Sequence, residues 1–92
     1  MIPRKLKIGG YDYEIIDEKQ GLADNGRFGY HNRNRNEIGI DPDCSEELKM
    51  STLLHEILEA VNWHYDMKLK HDQICKLETT LFQVLKDNKL TF

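Results

Sequence analysis

The sequence has few cysteines, no long apolar run and no excess of positive charge. Its two cysteines, Cys44 and Cys75, are far apart and form no CxxC pair, which excludes a structural zinc site made of cysteine alone. No apolar run approaches the roughly 20 residues that span a bilayer, so we expect no membrane segment. The amino terminus carries charge but no apolar signal core. These absences indicate a cytoplasmic protein with free thiols.

Acidic residues outnumber basic ones, 16 to 13, and the formal net charge is -3. Proteins that bind duplex nucleic acid need a basic surface, so we expect no such partner. One stretch, residues 27–36, departs from this balance because it contains Arg27, Arg33 and Arg35 without an acidic residue. We expect the exposed tip of a β-hairpin there, and a phosphate-binding loop is the alternative.

The length corresponds to a single domain, residues 1-92, whose two regions differ in periodicity. The first region, residues 1-41, has the alternation of apolar and polar residues that is typical of strands. This alternation covers residues 4–16, 27–32 and 36–41. Gly9-Gly10 divides the first segment as a hairpin turn, and residues 17–26 are a polar loop. The region predicts a small antiparallel sheet of three to four strands.

The second region, residues 43–88, has helical periodicity. Neither proline nor glycine occurs between Asp43 and Tyr65, and Asp43 with Glu46 matches a capping box. A second helix is predicted from about His71 to Asp87. Apolar residues recur at helical spacing at Leu54, Leu58 and Val61, and again at Ile74, Leu77, Leu81, Val84 and Leu85. We therefore expect an α+β fold in which two helices pack as a hairpin on one face of the sheet.

Polar residues interrupt the apolar part of the first helix. His55 and Glu59 stand four residues apart and project from the same helix face. Glu56 is rotated by about 100° from His55, which keeps it off a shared metal but near a water bound to that metal. The pattern is that of the HExxH metalloproteases with glutamate in the second ligand position, and zinc accepts carboxylate oxygen. It predicts a zinc site with His55 and Glu59 as ligands and Glu56 as general base.

A catalytic zinc needs a third protein ligand. His71 begins the second helix on its apolar side, so we place it first among the candidates and Glu78, two turns further on, second. Cys75 is a weaker candidate. His64 lies nine residues after His55, about 180° around the helix, and is expected to face elsewhere.

Two further residues of the first helix have expected roles. Asn62 lies seven residues after His55 on the same face, so we expect it to hydrogen-bond a metal ligand. Trp63 is expected to pack in the core or between the helices. The competing interpretation of His55 and Glu59 is an ordinary polar pair on a helix without metal. The apolar flanks favour burial, and buried polar groups need partners.

The stretch from Thr52 to Asn88, with its LLHEILEA helix, resembles the small zincin-like domains related to the ImmA/IrrE metallopeptidases and the minigluzincins, and resembles short phage and prophage proteins. The resemblance implies a zincin-like fold in a bacterial host's cytoplasm. It implies His55 as first ligand, Glu56 as base and Glu59 in the second ligand's position. His71 or Glu78 would be the third ligand. It also implies that an edge strand, 28–32 or 37–41, lays out the substrate backbone.

Two functions are expected from these observations. The first is a zincin-like zinc-binding protein that acts as a minimal metallopeptidase on a peptide or a host protein. The alternative is a non-catalytic, phage-encoded module that binds a host protein or small ligand through the Arg27/Arg33/Arg35 hairpin or the cleft beside His55. Histidine–glutamate sites also accept iron, manganese or nickel, so the pattern leaves the metal open, as it does the oligomeric state.

Overall fold

A computed structural model describes residues 2–19 and 28–90, which form four strands and two helices. The elements in chain order are β1 Lys5–Ile8, β2 Tyr11–Asp17, β3 Gly29–Asn32, β4 Glu37–Ile40, α1 Glu46–His64 and α2 His71–Asp87. The predicted α+β class is confirmed. Most of the loop expected over 17–26, together with Arg27, lies outside the described residues. None of the described helices is both long enough and apolar enough to span a membrane.

The sheet is mixed, which corrects the expectation of an antiparallel one. Its strand order is β1-β2-β4-β3, with antiparallel pairs at either side and a parallel pair between β2 and β4. Strand β4 takes an interior position because Ile38 and Ile40 are almost fully buried. Strand β3 forms an edge, and His31 and Asn32 within it are only partly buried. Because β4 is interior, residues 37–41 cannot be the substrate-binding edge that was one of the two expectations.

The two helices lie in successive layers rather than side by side on the sheet. Helix α1 packs on the sheet, and α2 packs on α1 alone among the described elements, which corrects the predicted arrangement. Ala60 is fully buried in α1, and its small side chain lets the helix approach the sheet closely. The main core consists of Ile2, Ile8, Tyr13, Ile15, Ile38, Ile40, Leu53 and Ala60. Helix α2 is therefore held on the domain mainly by its contact with α1.

Strand β3 lies unusually close to α1 because it begins with glycine. A β-carbon added at Gly29 would lie 2.6 Å from the Thr52 Cγ2 and 2.9 Å from the carbonyl oxygen of Gly39. Only a residue without a side chain fits in this space. This close approach places β3 and α1 side by side, and both line the same groove.

Local signals determine where each helix begins. Helix α1 is capped by Ser45, whose Oγ accepts a hydrogen bond from the Leu48 backbone N–H at 3.2 Å. The cap predicted at Asp43 is wrong, because Asp43 belongs to the preceding turn and donates its backbone N–H to Asp41 Oδ1. Before α2, Asp66 and Lys68 both have positive φ angles, which allow the chain to reverse within a few residues. This reversal brings His71 back beside α1.

Candidate metal centre and groove

An open groove of about 1280 Å³ lies between β3, α1 and α2. Strand β3 forms one wall, α1 forms the floor, and the first turns of α2 form the other wall. His55, Glu56 and Glu59 of α1 all line it, as do His71 and Cys75 of α2. The groove therefore gathers most of the residues that the sequence marks as candidates for metal chemistry.

Three side chains that line the groove form a group that could hold a metal ion. His55, His71 and Cys75 each offer a ligand atom, and these three atoms lie within 4.8 Å of one another. The Cys75 Sγ is 3.5 Å from the His71 Nε2, and the two imidazole rings are 5.4 Å apart between centroids. Tetrahedral zinc, with bonds of about 2.0–2.3 Å, places its ligand atoms about 3.3–3.6 Å apart. The group fits zinc after a small inward movement of His55.

The group consists of side chains from α1 and α2, which pack against each other. His71 and Cys75 are four residues apart in the first turns of α2, so both project from one face. His55 reaches them from the middle of α1. His55 and Cys75 are partly buried and His71 is exposed, so the group is open to the groove. The spacing of His71 and Cys75 was the available sequence signal, although Cys75 was the weaker candidate in the sequence.

Glu78 lies behind His55 rather than within the group. One carboxylate oxygen is 3.5 Å from the His55 Nδ1, and the other accepts a hydrogen bond from the Ser51 hydroxyl at 2.7 Å. A contact at Nδ1 leaves the His55 Nε2 as the nitrogen available to a metal. Carboxylates that orient a metal-binding imidazole in this way are common around zinc. Glu78, expected as an alternative ligand, is therefore placed to position His55.

Glu59 lines the groove but does not belong to the group of possible ligands, in contrast to the sequence expectation. Three residues of α1 spaced by four, Glu47, Ser51 and His55, contact α2. Each step of four residues turns about 40° beyond a full helical turn. One further step turns Glu59 by about another 40° away from the direction of His55. The i,i+4 rule places two residues near each other, but it does not decide which of them meets a neighbouring helix.

Glu56 occupies the buried side of α1 at the groove floor. Only 7% of the residue is exposed, and it lines the groove. Its helical neighbours Leu53 and Ala60, three residues before and four after it, belong to the core. A carboxylate at this position, one residue from His55 and turned toward the sheet, is protected from bulk solvent while facing the groove. This position suits a general base.

Asn62 holds the connection between the helices, in contrast to its expected bond to a metal ligand. Its Oδ1 accepts from the Leu69 backbone N–H at 2.9 Å, and its Nδ2 donates to the Leu69 carbonyl at 3.2 Å. Leu69 lies two residues before His71. Asn62 therefore positions His71 through the backbone rather than through the imidazole.

Replacing Asn62 by alanine should destabilise the fold and weaken metal binding together. Asn62→Ala removes two partly buried hydrogen bonds, for which we expect a loss of about 2 kcal/mol in unfolding free energy. Urea unfolding of the metal-free chain measures this loss, and a zinc titration measures the second effect. Asn88→Ala is the matched control, because the Asn88 amide donates only to the exposed Val84 carbonyl. Equal effects of the two substitutions would contradict the role assigned to Asn62.

A second polar network joins β2, β3 and the last residue of α1. The fully buried Tyr13 hydroxyl is 2.8 Å from the His31 Nε2 and 2.6 Å from the His64 Nε2. His64 also stacks on Tyr11, so it faces away from the metal group, as predicted. A phenol has one hydrogen to donate, so one imidazole accepts at Nε2 and the other donates. The imidazole that accepts must be neutral, because a protonated ring has no lone pair on nitrogen.

This network should make the fold acid-sensitive. Burial lowers the pKa of His31 below its usual value, and the neighbouring positive charges of His64 and Arg33 lower it further. As pH falls through about 6.5 the unfolded chain binds a proton at His31, whereas the folded chain binds it only at lower pH. The unfolded state then holds more protons, so stability falls as pH decreases.

The test compares unfolding free energies at pH 7.5 and 5.5 with a chelator present. We expect a larger loss for the wild type than for His31→Gln, in which this titration is absent. Equal losses in the two proteins would show that His31 does not carry the effect.

No protein-family model, curated protein or solved structure matches the chain. The resemblance to zincin-like domains accordingly remains an expectation carried by the residues from Thr52 to Asn88.

Proposed function

We propose that this protein binds a divalent transition metal, zinc first, through His55, His71 and Cys75. The observation that carries the proposal is the convergence of these three ligand atoms from two helices. Two imidazoles and one thiolate suit zinc, whereas the magnesium and calcium ions prefer oxygen. The Glu78 carboxylate contacts the His55 Nδ1, and carboxylates commonly orient metal-binding imidazoles in this way.

The activity we propose for this site is metal-dependent hydrolysis of a peptide bond, as in a minimal metallopeptidase. A zinc ion held there would polarise the carbonyl of the substrate and would acidify a bound water. The Glu56 carboxylate would accept a proton from that water and return it to the leaving amine. Three protein ligands, rather than four, are typical of catalytic zinc, which supports hydrolysis over a purely structural role.

Strand β3 is the proposed surface for the substrate backbone. The Asp41 N–H donates to the Phe28 carbonyl at 2.8 Å, and bonded pairs alternate along an antiparallel ladder. The backbone groups of Gly29 and His31 consequently point away from β4. Among the described residues β3 has no strand on that side. An extended peptide or a segment of a host protein can pair there beside the metal group.

A non-catalytic binding module is the second candidate. The open groove favours it, because a groove alone suffices for binding and no general base is needed. In that case a host protein or small ligand occupies the groove, and metal would serve structure or affinity. Both candidates are consistent with the phage or prophage origin that the resemblance implies and with the cytoplasmic location expected from the sequence. The two functions differ in their dependence on Glu56.

Elemental analysis of protein purified without an affinity tag tests the metal proposal. We expect about one zinc per chain in the wild type and a clear loss in His55→Ala and His71→Ala. His64→Ala is a matched control, because His64 lies in the other network. A wild-type protein that holds no metal and takes up none from added zinc would refute the proposal.

A further inference from the structure

The end of the groove remote from His55 carries an exposed aromatic–cation pair. The Arg33 guanidinium carbon lies 3.9 Å from the centroid of the Trp63 ring. Trp63 is 51% exposed, so it does not pack in the core or between the helices as the sequence suggested. Both residues line the groove. Stacking holds the guanidinium in place while its N–H groups remain available at the edge of the plane.

Arg33 also has no carboxylate partner among the residues that the structure describes. Within residues 2–19 and 28–90 it makes no ion pair, whereas Arg35 in the same hairpin is 3.6 Å from Glu37. Arg35 does not line the groove. Lys68 and Asp66 also line the groove, so their charges offset each other. Arg33 therefore presents a stacked cationic donor group to whatever lies in the groove.

The distance from His55 to Trp63 along the groove follows from helix and strand geometry. Trp63 is eight residues after His55, which is about 12 Å along the axis of α1. Strand β3 runs alongside, since Gly29 lies against Thr52 and Arg33 lies over Trp63. An extended chain advances about 3.3 Å per residue, so 12 Å corresponds to three or four residues.

We propose that the groove binds an extended peptide with an anionic group three or four residues from the bond that lies at the metal group, and that Arg33 binds this group. The spacing rests on the metal site proposed above. The anion is a carboxylate, either the side chain of aspartate or glutamate or the free carboxyl terminus of the peptide. Arg33 thereby acts in substrate selection and not in the hydrolytic step.

The same groove disfavours a nucleic-acid strand. Its lining contains four acidic residues, Glu56, Glu59, Asp66 and Glu78, and the chain has a net charge of -3. A nucleic acid carries a charge on every nucleotide and would meet these carboxylates along its length. A peptide with one anionic group meets Arg33 at one end and is neutral elsewhere.

The single tryptophan of the chain makes the test direct, because fluorescence excited selectively at tryptophan reports on Trp63 alone. The probes are eight-residue alanine–serine peptides, acetylated and amidated, each with one glutamate at a different position. Matched peptides carry glutamine, one carries only a free carboxyl terminus, and octathymidylate represents nucleic acid. Each is titrated into zinc-loaded wild type, Arg33→Gln and Arg35→Gln.

We expect the best glutamate peptide to bind about fivefold more tightly than its glutamine match, as for one partly exposed ion pair. Arg33→Gln should remove this preference and Arg35→Gln should keep it. The free-terminus peptide decides whether a terminal carboxylate serves as well as a side chain. Equal binding of glutamate and glutamine peptides, a preference that survives in Arg33→Gln, or tighter binding of octathymidylate would overturn the inference.

Zinc content measured on the same samples separates this inference from the metal proposal. Normal zinc binding without charge preference refutes the role of Arg33 and leaves the metal site standing. Charge preference that depends on Arg33 in a protein that binds no zinc supports the anion-binding role and refutes the metal site.

Discussion

Saturating zinc should raise the melting temperature of this protein by about 10–20 °C, and Cys75→Ser should remove most of that rise. A ligand at 100 times its dissociation constant stabilises the folded state by about 2.7 kcal/mol. For a domain of this size, each kcal/mol corresponds to about 4–8 °C. Serine replaces the thiolate with a hydroxyl that zinc binds poorly, while the volume of the side chain hardly changes. Differential scanning calorimetry with and without zinc measures the effect.

Cys44→Ser is the control for this experiment. Cys44 lies in the turn before α1 and does not line the groove. Burial raises the pKa of the Cys44 thiol, and the Asp41 carboxylate raises it further, so this sulfur remains protonated at neutral pH and is a poor ligand. We expect the full zinc-dependent rise in this variant. If Cys75→Ser kept the rise, or Cys44→Ser lost it, the assigned sulfur ligand would be wrong.

The second large effect concerns Glu56. Glu56→Gln should lower the rate of peptide hydrolysis by a factor of about 10² to 10⁴, because an amide has almost the shape of the carboxylate but cannot accept the proton. The zinc content should not change, since Glu56 is outside the group of possible ligands. A pool of internally quenched fluorescent peptides, assayed at equal zinc content, provides the measurement.

Glu59→Gln is the matched control for Glu56→Gln, because both are glutamates of α1 that line the groove. We expect Glu59→Gln to retain zinc and to change the rate by no more than a few fold. Loss of zinc in this variant would indicate that Glu59 is a zinc ligand, as the sequence motif predicts. An unchanged rate in Glu56→Gln would remove the hydrolytic mechanism and favour the binding module.

Periodicity was sufficient to predict the elements of the fold but not their arrangement. The alternation of apolar residues marked the strands, and α2 begins at His71 as expected. The parallel pairing of β2 with β4 could not be predicted, because Ile38 and Ile40 alternate in the same way whichever strand lies beside them. Strand order depends on which segment buries most apolar surface, which is a property of the assembled sheet.

Only part of the candidate site could be predicted, because spacing within one element does not define its contacts with another. Helical spacing placed His55 and His71 on facing sides of two helices, and the structure brings them together. Spacing could not show that Glu59 would stay outside the group of possible ligands or that Cys75 would belong to it. The bonds from Tyr13 to His31 and His64 cross 18 and 51 residues of sequence, and no local pattern predicts such contacts. Tertiary packing decides each of these points.

X-ray absorption spectroscopy of the zinc-loaded protein tests the central claim most directly, because sulfur and nitrogen scatter differently around zinc. With His55, His71 and Cys75 as ligands, the spectrum should show one sulfur at about 2.3 Å and two or three nitrogen or oxygen atoms at about 2.0–2.1 Å. The sulfur signal should disappear in Cys75→Ser. A shell of nitrogen and oxygen alone in the wild-type protein would contradict the ligand set on which the proposed function rests.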